Sequence, residues 1–124
     1  MTETALTISE VRSFSQSDFD LFARLSGDDN PIHVDPAFAT RTRFGRTVAH
    51  GMLLFSVLRG LLAKLAPGAR LQTQELMFPA PTYADEAMRF SIILRADEAD
   101  MEVARVADGV VTCTGKAMFH GEIV

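Results

Sequence analysis

The stretch VAHGMLLFSVLRGLLAKLA, residues 48–66, is apolar on nearly every side of a helix. A helix of that kind is stable only where protein surrounds it. His50, Arg59 and Lys64 interrupt it and make it too polar to span a bilayer. The rest of the chain therefore has to supply a cover. Pro67-Gly68 ends the helix, and beyond it residues 70–79, 86–97, 101–108 and 109–119 are richer in alternating or β-branched side chains. Breaks fall at Pro79–Pro81, Asp97–Asp100 and Asp108-Gly109, and an Asp-Gly step between two such runs predicts a hairpin. Helices followed by several antiparallel strands define an α+β chain. The predicted arrangement is a long buried helix with a curved antiparallel sheet wrapped round it.

A length of 124 residues suits a single domain, 1–124. Alone, a chain of this size buries only about two-thirds of its unfolded surface, so a partner subunit is expected. The net charge of −4, from 12 basic and 16 acidic residues, lacks the basic footprint of a nucleic-acid binder. Cys113, the single cysteine, excludes an intramolecular disulfide and a thiolate metal cluster. The N-terminal MTETALTISE has two glutamates and no basic run before an apolar core, so no signal peptide is read there. The expected location is cytoplasmic, with no membrane partner.

Polar chemistry gathers ahead of the long helix. Residues 6–14 alternate weakly as a short strand, and Ser15 with Asp18 makes a capping-box start. Phe19, Phe22, Ala23 and Leu25 follow at helical spacing, and Gly27 is a stop. After the polar loop 27–35, PAFATRT reads as a short helix opened by Pro36. Inside that loop, LSGDDNPIH, the Asn30-Pro31 step forces a turn between Asp28 and His33. Such a turn brings residues five apart together, and a carboxylate beside an imidazole handles protons or shares a water. A structural use suits the same residues, with Asp28 capping the turn and His33 packed on the helix. Spacing alone does not choose.

Asp28, Asp29 and His33 offer metal-type ligands, but no fourth strong ligand is near, so no metal is expected. Gly51 lies where the long helix begins, and its N–H is an unpaired first-turn donor at the positive end of the helix dipole. That suits a developing oxyanion; a packing glycine is the alternative. His50 is read as structural, a cap or a pocket wall. Arg41, Arg43 and Arg46 read as a solvated turn ahead of a phosphate site. The segment MFPAPTY reads as a kinked edge strand, or else as the side of a groove for an acyl tail.

The residues carry more than their spacing. FARLSGDDNPIHVDPAFA resembles the hydratase motif of the MaoC-like dehydratases and (R)-specific enoyl-CoA hydratases, and Phe22, Ser26, Gly27, Asp28, Asn30, Pro31, Ile32, His33 and Ala39 match it. FGRTVAHGMLLFSVLRGLL resembles the second landmark of that family, where His-Gly-Met opens the central helix. The resemblance implies the hot-dog fold, a long helix wrapped by an antiparallel sheet, paired as a homodimer with active sites at the interface. It also implies reversible addition of water to a trans-2-enoyl thioester of CoA or an acyl-carrier protein, giving the (R)-3-hydroxyacyl thioester without a cofactor.

On that resemblance Asp28 and His33 are the catalytic pair, the Gly51 N–H is the donor to the thioester oxygen, and Asn30 orients the loop. An apolar wall from Phe22 or the central helix is expected around Asp28. One departure stands out: where some family members carry a serine on the central helix, this chain has Arg59, and Ser56 comes a turn early. No serine is therefore assigned, and Arg59 needs a partner or the acyl-CoA tail. Two other functions fit the same fold: a thioesterase using a carboxylate elsewhere, and a non-catalytic acyl-CoA-binding or scaffold domain.

Overall fold

Alternation along the strands builds one apolar face. In a computed structural model, residues 5–120 are described; residues 1–4 and 121–124, the ends of the expected domain and the start of the N-terminal stretch, lie outside the described residues. Strands β1 (Leu6–Arg12), β2 (Arg70–Met77), β3 (Met88–Arg95), β4 (Glu98–Arg105) and β5 (Val111–His120) form a single sheet in the order β1-β3-β4-β5-β2. Every pairing is antiparallel. The register sets Phe90, Ile92 and Leu94 of β3 opposite Val103, Met101 and Ala99 of β4, and all six are buried. Helix α4 (Gly51–Leu65) lies on this face and sinks Leu54, Val57, Leu58, Leu61 and Leu62 into it. Helix against antiparallel sheet is the hot-dog layering the sequence implied.

The helix is nevertheless not surrounded within one chain. Met52 is 54% exposed, and Ser56, Gly60, Ala63 and Lys64 extend an exposed stripe along the same helix. A sheet covers one face of a helix, so the opposite face stays open. Arg59 sits half-buried at the margin of that stripe and not in the core.

Two turns depart from expectation. β3 and β4 join at Ala96-Asp97 (Ala96 φ 50°), so β4 begins at Glu98 and not at residue 101. Glu98 and Asp100 project outward while Ala99 and Met101 turn in, and those acidic residues disguise a period of two as a break. The Asp108-Gly109 hairpin forms with Gly109 at φ 76°, but its loop spans residues 106–110. Asp108 accepts there from the Val110 N–H at 3.0 Å.

Helix α1 (Gln16–Ser26) opens as read. Ser15 Oγ accepts from the Asp18 N–H at 3.2 Å and Asp18 accepts from the Ser15 N–H at 2.8 Å. Gly27, at φ 80°, closes it through a bond to the Ala23 carbonyl. An element the sequence reading missed follows: α2 (Pro31–Val34), one turn long, ahead of α3 (Pro36–Ala39). Pro31 presets the first helical φ, and Asn30 caps the turn by accepting from the Ile32 N–H at 3.1 Å. Among the described residues no helix is long and apolar enough to cross a membrane.

Candidate active site

The segment 47–50, which leads into α4, is tied on two sides. Val48 donates its N–H to the Ile32 carbonyl of α2 at 3.1 Å, and Ala49 donates to the Thr82 carbonyl at 2.8 Å. Gln16, the first residue of α1, donates to the His33 carbonyl at 2.9 Å and accepts from the Thr47 hydroxyl. Three separate stretches thus meet beside the N-terminus of α4.

The turn of α2 brings His33 back towards Asp28, leaving Nε2 and Oδ2 3.8 Å apart. His33 Nδ1 lies 2.8 Å from the Val48 carbonyl oxygen, which only accepts, so Nδ1 carries the proton. In the neutral ring Nε2 is then a bare acceptor. The carboxylate facing it is an acceptor too, and 3.8 Å is too long for a direct hydrogen bond. Two acceptors held at that separation suit a small donor of two protons between them, which describes water. Asp28 Oδ1 meanwhile accepts from the Asn30 N–H at 3.4 Å. The apolar wall expected around Asp28 is not found within the chain: its side chain is 55% exposed, and Phe22 packs against His50 instead, with ring centroids 4.9 Å apart.

His50 has a larger part than the sequence reading assigned. It makes no capping bond to α4 and is only 2% exposed. Its ring stacks on that of His33, with centroids 3.9 Å apart and planes at 23°. Its Nε2–H donates to the Asp28 backbone carbonyl at 2.9 Å, leaving Nδ1 as a buried acceptor with no partner. Burial lowers its pKa below 6.5; the bond to Asp28 opposes that shift and nearby His33 adds to it, so the ring is neutral at pH 7. Atoms of Asp28, His33 and His50 come within 4.8 Å of one another, as metal ligands would. Stacked imidazoles, however, hold their in-plane lone pairs in two nearly parallel planes, which converge poorly on one ion.

A cavity of about 410 Å³ opens beside this group, with Asp28, His50 and Gly51 in its wall. The intrahelical bonds of α4 start with Leu53 and Leu54 donating to the His50 carbonyl, which leaves the Gly51 and Met52 N–H groups as first-turn donors. The Phe78 ring covers Gly51 so closely that a Cβ there would lie 2.7 Å from Phe78 Cζ. Within MFPAPTY, β2 ends at Met77, and Phe78–Thr82 beyond it line the cavity. A bulge in β5 between Val111 and Cys113 turns Thr112 inward to meet the Thr82 hydroxyl at 2.9 Å, making a buried polar wall that the sequence reading missed. Of the arginines, Arg46 stacks on Tyr83 and pairs with Glu86 at 3.4 Å, whereas Arg43 lines the cavity over Phe44.

An open-faced helix on a five-stranded antiparallel sheet, with a carboxylate and an imidazole facing each other at the helix N-terminus, has the layout of a hot-dog protein of the hydratase and dehydratase type. The family model for the MaoC like domain matches residues 1–115, and the chain belongs to that family. It is 35% identical over 115 residues to the (R)-specific enoyl-CoA hydratase of Aeromonas caviae, an alignment spanning 91% of this chain and 86% of that protein. Identity to the (R)-specific enoyl-CoA hydratase of Rhodospirillum rubrum is 32% over 116 residues, 90% of this chain and 78% of the other. The solved structure of the (R)-hydratase from A. caviae involved in PHA biosynthesis superposes with a TM-score of 0.88 over 98% of both chains, at 29% identity.

Proposed function

We propose that this chain is a hydro-lyase that adds water to trans-2-enoyl-CoA thioesters to give (R)-3-hydroxyacyl-CoA, and runs the reverse dehydration. The observation that carries this reading is the pair of facing acceptors, His33 Nε2 and Asp28 Oδ2, 3.8 Å apart beside a helix N-terminus. A water donates to both. Its oxygen adds to C3 of the enoyl group while one of the pair takes its proton, and the C2=C3 electrons move towards the thioester oxygen. The Gly51 N–H, at the positive end of α4, meets the charge that gathers there. Delivery of one proton from the pair to C2 completes a net addition of water, and the pair ends as it began. Asn30 holds the loop by capping α2 and bonding to Asp28. Arg43, over Phe44 at the cavity, is placed for a phosphate of the thioester carrier.

A homodimer completes the site in this reading. The apolar residues Met52, Met77 and Phe78 are exposed next to the cavity, and β2 is an edge strand. A second copy covering them closes the exposed side of Asp28 and raises its basicity by desolvation.

Crotonyl-CoA and longer trans-2-enoyl-CoAs test the reaction. Wild type is expected to consume the conjugated enoyl absorbance and to yield the (R) product on chiral analysis, while Asp28→Asn does neither. Folded wild type that turns over no chain length, on CoA or on a carrier protein, sinks the enzyme reading. Light scattering checks the dimer independently.

A further inference from the structure

His50 is almost wholly buried, takes no part in the hydration steps above, and touches both members of the pair. We infer that it is a positioning residue for Asp28 and His33, acting through two separable contacts: its Nε2–H bond to the Asp28 backbone, and its ring face against His33. This deepens the hydratase reading and rests on it.

The bond to Asp28 matters because the loop has little else. Residues 24–31 are all exposed. Among the described residues, the bond from His50 is the hydrogen bond that ties 24–31 to a distant part of the chain; the next such ties come at Ile32 and His33, which bond to Val48 and Gln16. With Ile32 and His33 fixing the far side, this one buried donor sets where the Asp28 side of the loop lies.

The stack acts on the other partner. Val48 fixes one nitrogen of His33, which still leaves the ring free to rock about that bond. His50 closes one face at 3.9 Å, and Phe22 packs against His50 in turn with centroids 4.9 Å apart and planes tilted at 59°. Asp28 and His33 are the titratable groups whose charges act on His50, and Phe22 brings none. A neutral His50 therefore presents an uncharged face to the pair, whichever member takes the proton from water.

Two substitutions separate the contacts. His50→Gln keeps an N–H near the reach of Nε2 and removes the ring; His50→Phe keeps a flat ring and removes the donor. With the reacting groups displaced by a fraction of an ångström, kcat on crotonyl-CoA is expected to fall about 10- to 100-fold in each, with KM moving less than about threefold. In an Asp28→Asn background, His50→Phe is expected to add little further loss, since it acts through the residue already disabled. A role confined to overall stability would instead lower the folded fraction and leave the per-molecule rate and the additivity untouched. The proton–nitrogen NMR signal of the His33 Nδ1–H, sheltered by Val48 in wild type, is expected to vanish in His50→Gln while the amide spectrum persists. Phe22→Leu, which only loosens the packing against His50, gives an intermediate kcat and serves if a His50 variant does not fold. Wild-type kcat in both His50 variants, or losses that multiply with Asp28→Asn, overturns the inference. Should wild type itself fail to hydrate enoyl-CoA, the hydratase reading falls alone, and a His33 signal retained in both variants then overturns the positioning role.

Discussion

At the end of β4, Arg105 donates to Asp108 at 2.9 Å, and its Nε lies 3.3 Å from Glu86, close enough for attraction though not aligned as a hydrogen bond. Beside α4, Asp28 and His33 face each other across 3.8 Å and do not close. The first cluster closes on itself through the direct Arg105–Asp108 bond. The Asp108 hydrogen bond holds the Arg105 guanidinium charged, while the Val110 N–H and then Arg105 hold the Asp108 carboxyl below its usual range. The second is kept apart because each member is anchored elsewhere, His33 to the Val48 carbonyl and Asp28 through His50. The first cluster meets directly; the second leaves room for a third molecule, which the proposed reaction fills with water. Its anchors, and not its charges, set the gap.

Substitutions can break or sharpen that contrast. The largest effect belongs to the open pair: Asp28→Asn or His33→Ala is expected to cost about 10²- to 10⁴-fold in kcat/KM, with the melting temperature largely kept. Full turnover in either folded variant ends the distinction. Gly115→Ala is the sheet counterpart, because a Cβ there would lie 2.9 Å from the Glu75 backbone carbonyl, which cannot swing aside as a side chain such as Phe78 over Gly51 can. Urea titration should show a loss of about 1–3 kcal/mol from this overpacking. Arg105→Ala is expected to lose about 1 kcal/mol, since its pairs are partly solvated and its stem still covers apolar surface, with kcat unchanged.

The smallest effect is one of pH. His50 has a folded pKa below its unfolded value near 6.5, so the unfolded chain takes up the proton first as pH falls. The stability attached to the neutral ring is therefore complete above about 6.5 and is lost as pH drops through the folded value. Asp108 adds a similar loss only further down, below the ordinary carboxylate range. Urea midpoints measured downward from neutral pH should show the His50 slope in wild type and not in His50→Phe. An unchanged slope would mean that burial of the imidazole carries no linkage.

Much of this molecule is legible residue by residue. The Ser15-Asp18 box, the Gly27 stop, the long apolar helix and the Asp108-Gly109 hairpin are signals in which a side chain answers backbone groups a few positions away. Asp28 and His33 belong to the same kind, since one proline-started turn suffices to bring them together. What the sequence alone determined, then, is the α+β class, the order of the strands and of the two longer helices, and the nearness of Asp28 to His33. Tertiary structure decided the rest. The inward turn of Thr112 depends on a slip in register against β4. The open stripe of α4 follows from a sheet that reaches only one of its faces. His50 finds the Asp28 carbonyl 22 positions back and the face of a second histidine, partners that no local pattern names. Short-range chemistry is written in neighbouring residues, whereas the gap between two acceptors is set by contacts that exist only once distant segments have packed.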